Sequence, residues 1–111
     1  MMRQLARLLA IPAAAGMFLV LVMGATVTNT GSAEGCGRSW PLCNGRFIPE
    51  QATAALIEFS HRAVTGAEGL LVLALALAAW LGWRERRALR WLILLMAGTL
   101  VLQAAMGAWA V

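Results

Sequence analysis

Charged residues are scarce in this sequence, and most of them fall outside three long apolar runs. Only 13% of the 111 residues are charged, 61% are hydrophobic, and the mean hydropathy is +0.77. An ordinary soluble domain carries more charge and less apolar surface than this, so the composition excludes that class. We therefore expect one short module, comprising residues 1–111, that is embedded in a membrane.

Three apolar runs are long enough to cross a hydrocarbon core of about 30 Å, which takes roughly 20 residues in a helix. They comprise residues 8–27, 63–83 and 91–111. Each span must be helical, because lipid offers no partner to backbone N–H and C=O groups. The second helix is expected to start earlier, near residue 52, which leaves a loop over about 28–51 and a link over about 84–90. The sequence therefore predicts an all-α integral membrane protein with three transmembrane helices.

The basic residues are all arginines, and their positions predict the orientation. Two of them precede the first span and four crowd the short link, whereas the loop over 28–51 balances two arginines with two glutamates. The positive-inside rule then places the N-terminus and the link in the cytoplasm, and the loop outside the plasma membrane. The arginines flank helices and form no basic face with interleaved aromatic residues, so a nucleic-acid partner is not expected.

The first span also has features of a secretory signal peptide, since Arg3 and Arg7 precede an apolar stretch. However, the stretch of about 20 residues is longer than the usual apolar core of such a peptide, and Met23-Gly24-Ala25 is a poor cleavage site. We therefore expect the span to be retained as a membrane anchor.

The two cysteines, Cys36 and Cys43, lie seven positions apart in the loop. Disulfides persist in the compartment on the outer side of the membrane, where this loop is expected. Turns at Gly37 and Pro41 allow the two cysteines to approach each other. We expect a disulfide that staples the loop, with a redox role as the alternative. Two thiols without a C-x-x-C pattern and further ligands make a poor metal site, and the lack of C-x-x-C-H excludes attachment of a c-type heme.

The single histidine, His61, is expected near the outer end of the second helix. It precedes Trp83 by 22 residues, which is about 33 Å of helix. Two interpretations remain open from the spacing. The imidazole either anchors the helix end among lipid headgroups without any cofactor, or it is an axial ligand of heme iron in an apolar bundle.

Glu58 and Arg62 flank His61 on the same helix, and each also has two interpretations. Glu58 either forms an ordinary i,i+4 ion pair with Arg62 or acts as an acid, base or charge stabiliser beside the group that His61 binds. Arg62 can also face an anionic group such as a heme propionate.

Glu68 is an ionisable residue within the second span, where a charge is costly and the side chain should face other helices. Gln103 on the third helix is expected at a similar depth. We therefore predict that Glu68 is neutral and hydrogen-bonded to Gln103, as a packing contact between the two helices. A role as a proton relay is the alternative.

Four segments together resemble the heme A synthase family. They are Gly24-Ala-Thr-Val-Thr-Asn-Thr-Gly-Ser32, Cys36-Gly-Arg-Ser-Trp-Pro-Leu-Cys43-Asn-Gly45, Ile57-Glu-Phe-Ser-His-Arg62 and Leu102-Gln-Ala-Ala-Met-Gly-Ala108. E-x-x-H alone is common, but Trp-Pro-Leu-Cys between the glycine-containing end of helix one and the Glu–His pair is specific. The resemblance covers roughly residues 16–111.

The resemblance implies that the protein oxidises a methyl group of heme o to the formyl group of heme a, for cytochrome oxidase. The family has eight helices in two similar four-helix halves, each with two histidines at a heme. His61 matches the histidine associated with the substrate heme, and Glu58 matches the acidic residue tied to catalysis. Cys36 and Cys43 match the disulfide pair of the outer loop. Heme o synthase and cytochrome oxidase are the implied protein partners.

The chain lacks the fourth helix that supplies the partner histidine, and it lacks the second half that holds heme b. We therefore expect three helices of a four-helix heme-binding bundle, completed by the same longer protein, a second copy or a partner subunit. A non-catalytic heme-binding or oxidase-assembly subunit is the alternative. A small membrane protein with a stapled loop and no cofactor is the third possibility.

Overall fold

The fold consists of three long helices joined by one longer and one short connection. The computed structural model describes residues 1–39, 41–48 and 53–109. In chain order the helices are α1 (Met2–Asn29), α2 (Thr53–Gly82) and α3 (Arg87–Trp109). All three are long and apolar enough to cross a membrane. The predicted all-α fold with three membrane-spanning helices is therefore confirmed.

The helix ends differ from the predicted spans mainly at the starts of α1 and α3. Helix α1 begins at Met2 rather than near Leu8, and α3 begins at Arg87, inside the predicted link over 84–90, rather than at residue 91. In both cases the residues before the apolar run are good helix formers and extend the helix beyond the hydrocarbon. A single 3₁₀ turn, Ser32–Glu34, follows α1. The predicted start of the second helix at residue 52 and the predicted end of the third at residue 111 lie outside the described residues.

The α1 residues that pack inward recur at alternating four- and three-residue intervals, and several of them are small. This spacing is typical of left-handed packing between two long helices, where one narrow seam faces the partner. Small residues on such a seam let two backbones approach closely in a membrane. The buried or half-buried residues of the seam are Met2, Ala6, Leu9, Ala13, Gly16, Val20, Met23 and Val27.

The seam of α1 packs antiparallel against α2. A Cβ atom built on Gly82 would lie 3.1 Å from the backbone nitrogen of Arg3, and one built on Gly24 would lie 3.4 Å from the His61 ring. Arg3 also donates a hydrogen bond to the Gly82 carbonyl, forms an ion pair with Glu85 and lies over the Trp83 ring. The hairpin of α1 and α2 is therefore joined along its whole length.

Helix α3 packs more loosely against this hairpin. Ile93 is its one buried residue among those the structure describes, and the guanidinium of Arg90 stacks 4.5 Å from the centre of the Trp80 ring. Its other large apolar side chains, such as Leu95 and Val101, are mostly exposed. In a membrane this surface meets lipid or further helices.

The predicted hydrogen bond between Glu68 and Gln103 is wrong. Glu68 is only 6% exposed and lies against α1, where a Cβ atom on Gly16 would come within 2.6 Å of its carboxyl carbon. Gln103 is exposed on α3. The physical reason is that the small residues of α1 bring that helix close to α2, whereas α3 stays further away. Oε1 of Glu68 is buried and has no hydrogen-bond partner within the described ranges.

Candidate functional site

The polypeptide after α1 folds back on the first turns of α2 and is closed by a disulfide. Cys36 and Cys43 are bonded to each other, as predicted, and both side chains are fully buried. The backbones of Cys43 and Arg46 exchange hydrogen bonds of 2.8 and 3.0 Å. The tight turn between them needs left-handed backbone at Asn44 and Gly45, residue types that adopt it at little cost. We call the described residues between Gly35 and Arg46 the stapled loop.

Glu58 and Arg62 fasten the stapled loop to α2. Oε2 of Glu58 accepts a 2.7 Å hydrogen bond from the backbone N–H of Cys36, and Oε1 forms an ion pair with Arg62. Nη1 of Arg62 donates to the carbonyl oxygens of Ser39 at 2.8 Å and Leu42 at 3.2 Å. Carboxylate and guanidinium therefore each bind the loop backbone as well as each other, and we call this pair the loop clamp.

The loop clamp is buried, which changes its energetic weight. The side chains of Glu58 and Arg62 are only 4% and 14% exposed. An exposed i,i+4 pair contributes a few tenths of a kcal/mol, whereas removing one partner of a buried pair costs about 3–5 kcal/mol, because it leaves an uncompensated charge. The predicted ion pair between Glu58 and Arg62 is thus present. It is buried and joins the stapled loop to α2, whereas an ordinary i,i+4 pair lies on an exposed helix surface.

A close approach between the stapled loop and α2 completes the attachment. The disulfide packs on Ala55 and Phe59. A Cβ atom on Gly35 would lie 2.6 Å from the carbonyl oxygen of Ala54, so glycine is required where the two backbones touch. The first turns of α2, the disulfide and the loop clamp therefore form one packed unit.

His61 lies one residue before Arg62 but faces a different partner. Its ring approaches Gly24 on α1, where a Cβ atom would stand 3.4 Å from Cε1 and 3.6 Å from Nε2. Nδ1 is buried without a hydrogen-bond partner, and among the described residues no side chain bonds either ring nitrogen. The hydroxyl of Thr65 donates a 2.7 Å hydrogen bond to the backbone carbonyl oxygen of His61, not to its ring.

A heme iron fits this histidine better than a metal ion held by protein ligands alone. The described residues contain no group of three His, Cys, Asp or Glu side chains that could hold a metal ion. A porphyrin supplies most ligands of its own iron, so a single imidazole such as that of His61 would be enough to hold it to this part of the protein. The unpartnered ring of His61, inside an apolar helix pair, meets that requirement.

Comparisons with known proteins identify the family of this chain. The family model described as cytochrome oxidase assembly protein, COX15-CtaA, matches residues 49–111, which is more than half of the chain and includes His61. The chain belongs to the COX15-CtaA family. The resemblance found in the sequence is thereby confirmed, and the chain is a multi-pass membrane protein.

Curated relatives named heme A synthase match nearly the whole chain. The protein of Bacillus licheniformis is 50% identical over 95 residues, which cover 86% of this chain and 32% of the relative. That of Bacillus pumilus is 48% identical over 109 residues (95% and 34%), and that of Bacillus cereus is 42% identical over 111 residues (99% and 36%). The chain thus spans about a third of the length of these relatives. No solved structure matches it.

In this member of the COX15-CtaA family, the predicted site residues divide into two adjacent groups. Cys36, Cys43, Glu58 and Arg62 come together in the packed unit of loop and helix, whereas His61 points to α1. All the bonds that the structure shows for the Arg62 guanidinium go to Glu58 and the loop. Its contact with a heme propionate therefore stays a prediction.

Two glycines that contact candidate residues were not predicted from the sequence of this family member. Gly24 packs against the His61 ring, and Gly16 leaves room for Glu68. Part of the signal was present in the sequence, because an antiparallel α1–α2 pair places residues of matching depth opposite one another. The positions of small residues alone do not indicate which face of α1 meets α2, since Ala10 and Ala14 are exposed.

Proposed function

We propose that this chain is the N-terminal part of a heme A synthase, which oxidises a methyl group of heme o to the formyl group of heme a for cytochrome oxidase. The observation that carries the proposal is the 42–50% identity to proteins of that name over 86–99% of the chain. The alternative, a non-catalytic heme-binding or oxidase-assembly subunit, is not favoured, because the relatives bear the name of an enzyme.

His61 is proposed to bind the iron of heme o and thereby set the position of the porphyrin. Support comes from its ring, whose nitrogens lack partners in the described part of the chain. The iron supplies the oxidative chemistry when heme is bound. The protein contributes the orientation that brings one methyl group to the reaction position.

Glu58 is proposed to influence the reaction through its negative charge at the loop end of the hairpin. Its carboxylate is held by Cys36 and Arg62, so its position is preorganised. A fixed carboxylate stabilises positive charge that develops on the oxidised carbon or accepts a proton from attacking water. The same carboxylate keeps the stapled loop over this end of α2, so loss of the charge affects both functions.

The site is proposed to be completed by further helices. The chain covers about a third of its relatives, and α3 presents a large apolar surface that is unpartnered in the described residues. The same longer protein, a second copy or a partner subunit would supply a second histidine for the heme o site and a half that binds heme b. In that bundle α1–α3 are three of four helices around the substrate.

The membrane orientation is proposed from the arginines and the disulfide. The arginine-rich end of the hairpin lies in the cytoplasm and the stapled loop lies outside the plasma membrane. A buried disulfide in the loop agrees with an oxidising compartment on that side. Heme o synthase and cytochrome oxidase are the proposed partners, because one makes the substrate and the other takes the product.

The test uses the full-length protein in a host that makes heme o but no heme a. Heme is extracted from purified protein and its heme o and heme a contents are measured. Wild type should contain heme a, and Glu58→Gln should retain heme o while heme a production falls about a hundredfold, the loss typical of a transition-state interaction. Glu34→Gln makes the same chemical change at an exposed loop residue and should convert heme normally. If wild type produced no heme a, the proposed activity would be wrong.

A further inference from the structure

A basic cavity lies at the end of the helices opposite the stapled loop. It has a volume of about 320 Å³ and is formed where α2 ends and α3 begins. Its walls combine three arginines with two tryptophans. The lining residues are Trp80, Arg84, Glu85, Arg87, Arg90, Trp91 and Leu94.

The charge of this cavity is strongly positive. Its one acidic residue, Glu85, is already paired with Arg3 from the start of α1. Arg84, Arg87 and Arg90 form no ion pair with any carboxylate of the described residues. The first turn of α3 contains no acidic residue either. The cavity therefore lacks an anion to balance three guanidinium groups.

Two features suit the cavity to an anion that carries a long apolar tail. Arg90 is held over the Trp80 ring at 4.5 Å, so its guanidinium is oriented before any ligand binds, and guanidinium groups bind phosphate oxygens in a bidentate manner. Trp91 and Leu94 then continue the wall along the exposed apolar face of α3, at 63% and 49% exposure. Tryptophan rings of this kind lie at the headgroup level of membranes.

We propose that this cavity binds the headgroup of one anionic glycerophospholipid, with its acyl chains along α3. The phosphate contacts Arg87 and Arg90, and the chains pack on Trp91 and Leu94. A free phosphate ion would leave this apolar wall uncovered. A zwitterionic lipid would bring a cationic group toward three arginines, which the charge of the cavity disfavours.

The experiment measures lipids bound to the detergent-purified chain by native mass spectrometry. Phosphatidylglycerol and phosphatidylcholine with identical acyl chains are titrated separately. One phosphatidylglycerol should bind per chain, and phosphatidylcholine should bind at least about tenfold more weakly, because it has the same phosphate but its choline group brings a positive charge toward the arginines. Inorganic phosphate should not displace the lipid. Displacement by phosphate, or equal affinity for the two lipids, would overturn the proposal.

A pair of matched variants separates a specific site from diffuse attraction. Arg90→Gln removes a charge from the cavity wall, whereas Arg86→Gln removes the same charge from the adjoining link between α2 and α3, outside the cavity. The first should weaken phosphatidylglycerol binding about tenfold and the second about threefold or less. Equal weakening would show diffuse attraction and refute the site. Arg87→Gln provides a second cavity variant if Arg90→Gln does not fold, and unchanged helical content by circular dichroism reports folding of each variant.

Discussion

The loop clamp predicts a specific effect of removing the Glu58 carboxylate on the stability of the stapled loop. In Glu58→Ala, the backbone N–H of Cys36 loses its acceptor and the buried guanidinium of Arg62 loses its counter-charge. Arg62 keeps its two carbonyl acceptors, on Ser39 and Leu42. The loop should therefore open far more often, although α2 itself, whose helix does not depend on this carboxylate, should remain helical.

The size of the effect follows from the burial of the pair. Removing one partner of a buried ion pair costs about 3–5 kcal/mol, and the remaining bonds of Arg62 place the expected cost near the lower value. A change of about 3 kcal/mol in the free energy of loop opening raises the open population about a hundredfold. Glu58→Gln keeps an acceptor for the Cys36 N–H and loses only the charge, so it should raise the open population about tenfold.

The rate of disulfide reduction measures this opening. Both sulfur atoms are inaccessible in the closed loop, so a water-soluble phosphine reduces the Cys36–Cys43 bond only after the loop opens. When the loop closes faster than the phosphine reacts, the reduction rate follows the open population. The released thiols are trapped with a maleimide, and the mass of the chain is measured by mass spectrometry over time. This gives the rate of disulfide reduction for wild type and for each variant.

Glu34→Ala provides the control, because Glu34 is an exposed acid of the same polar segment. It should be reduced at the wild-type rate. If Glu58→Ala were also reduced at that rate, the buried ion pair would not hold the loop, and the energetic argument would be wrong.

Two further predictions concern helix packing and topology. Gly16→Ala should destabilise the α1–α2 hairpin by about 1–3 kcal/mol in an unfolding titration with a denaturing detergent, because its methyl group would overlap Glu68. Gly66 has open space around it, so Gly66→Ala should not destabilise the hairpin. Equal destabilisation by the two variants would contradict the packing of Gly16 against Glu68. In intact cells, Cys36 and Cys43 should react with an impermeant maleimide only after a reductant is added, whereas labelling that also requires broken membranes would reverse the proposed orientation.

Much of the fold was predictable because it depends on hydrophobic length alone. Three runs of about 20 apolar residues must form three helices in lipid, whatever their neighbours are. The disulfide was predictable for a similar local reason, since turn residues lie between Cys36 and Cys43. The start of α1 at Met2 was not predicted, because helix propensity continues beyond the apolar run that defined the span.

The contacts between helices were harder to predict, because depth in the membrane does not determine the direction of a side chain. Glu68 and Gln103 were matched by depth, but Glu68 faces Gly16 on another helix. The spacing places Glu58 and His61 on one face of the helix. In the structure, however, the Glu58 carboxylate binds the stapled loop, whereas the His61 ring packs against α1. The direction appears only in the alternating three- and four-residue intervals of the inward-facing α1 residues, which the structure identifies by their burial.

The role of Glu58 in particular needed the structure. Its spacing from Arg62 predicts an ion pair, but spacing cannot show whether that pair is exposed or buried. The backbone groups of Cys36, Ser39 and Leu42 that bind the pair come from about 20 residues earlier in the chain. A long-range contact between side chains and loop backbone leaves no periodic trace in the sequence.

Binding of heme by His61 can be tested with an absorbance spectrum of the detergent-purified chain titrated with heme. Wild type should shift the Soret band to the position of imidazole-ligated heme, and His61→Ala should lose that shift while keeping the Cys36–Cys43 disulfide and its helical content. Glu58→Gln should keep the shift, because the carboxylate does not contact the iron ligand. An identical Soret band for wild type and His61→Ala would contradict the account and remove the heme assignment from this segment.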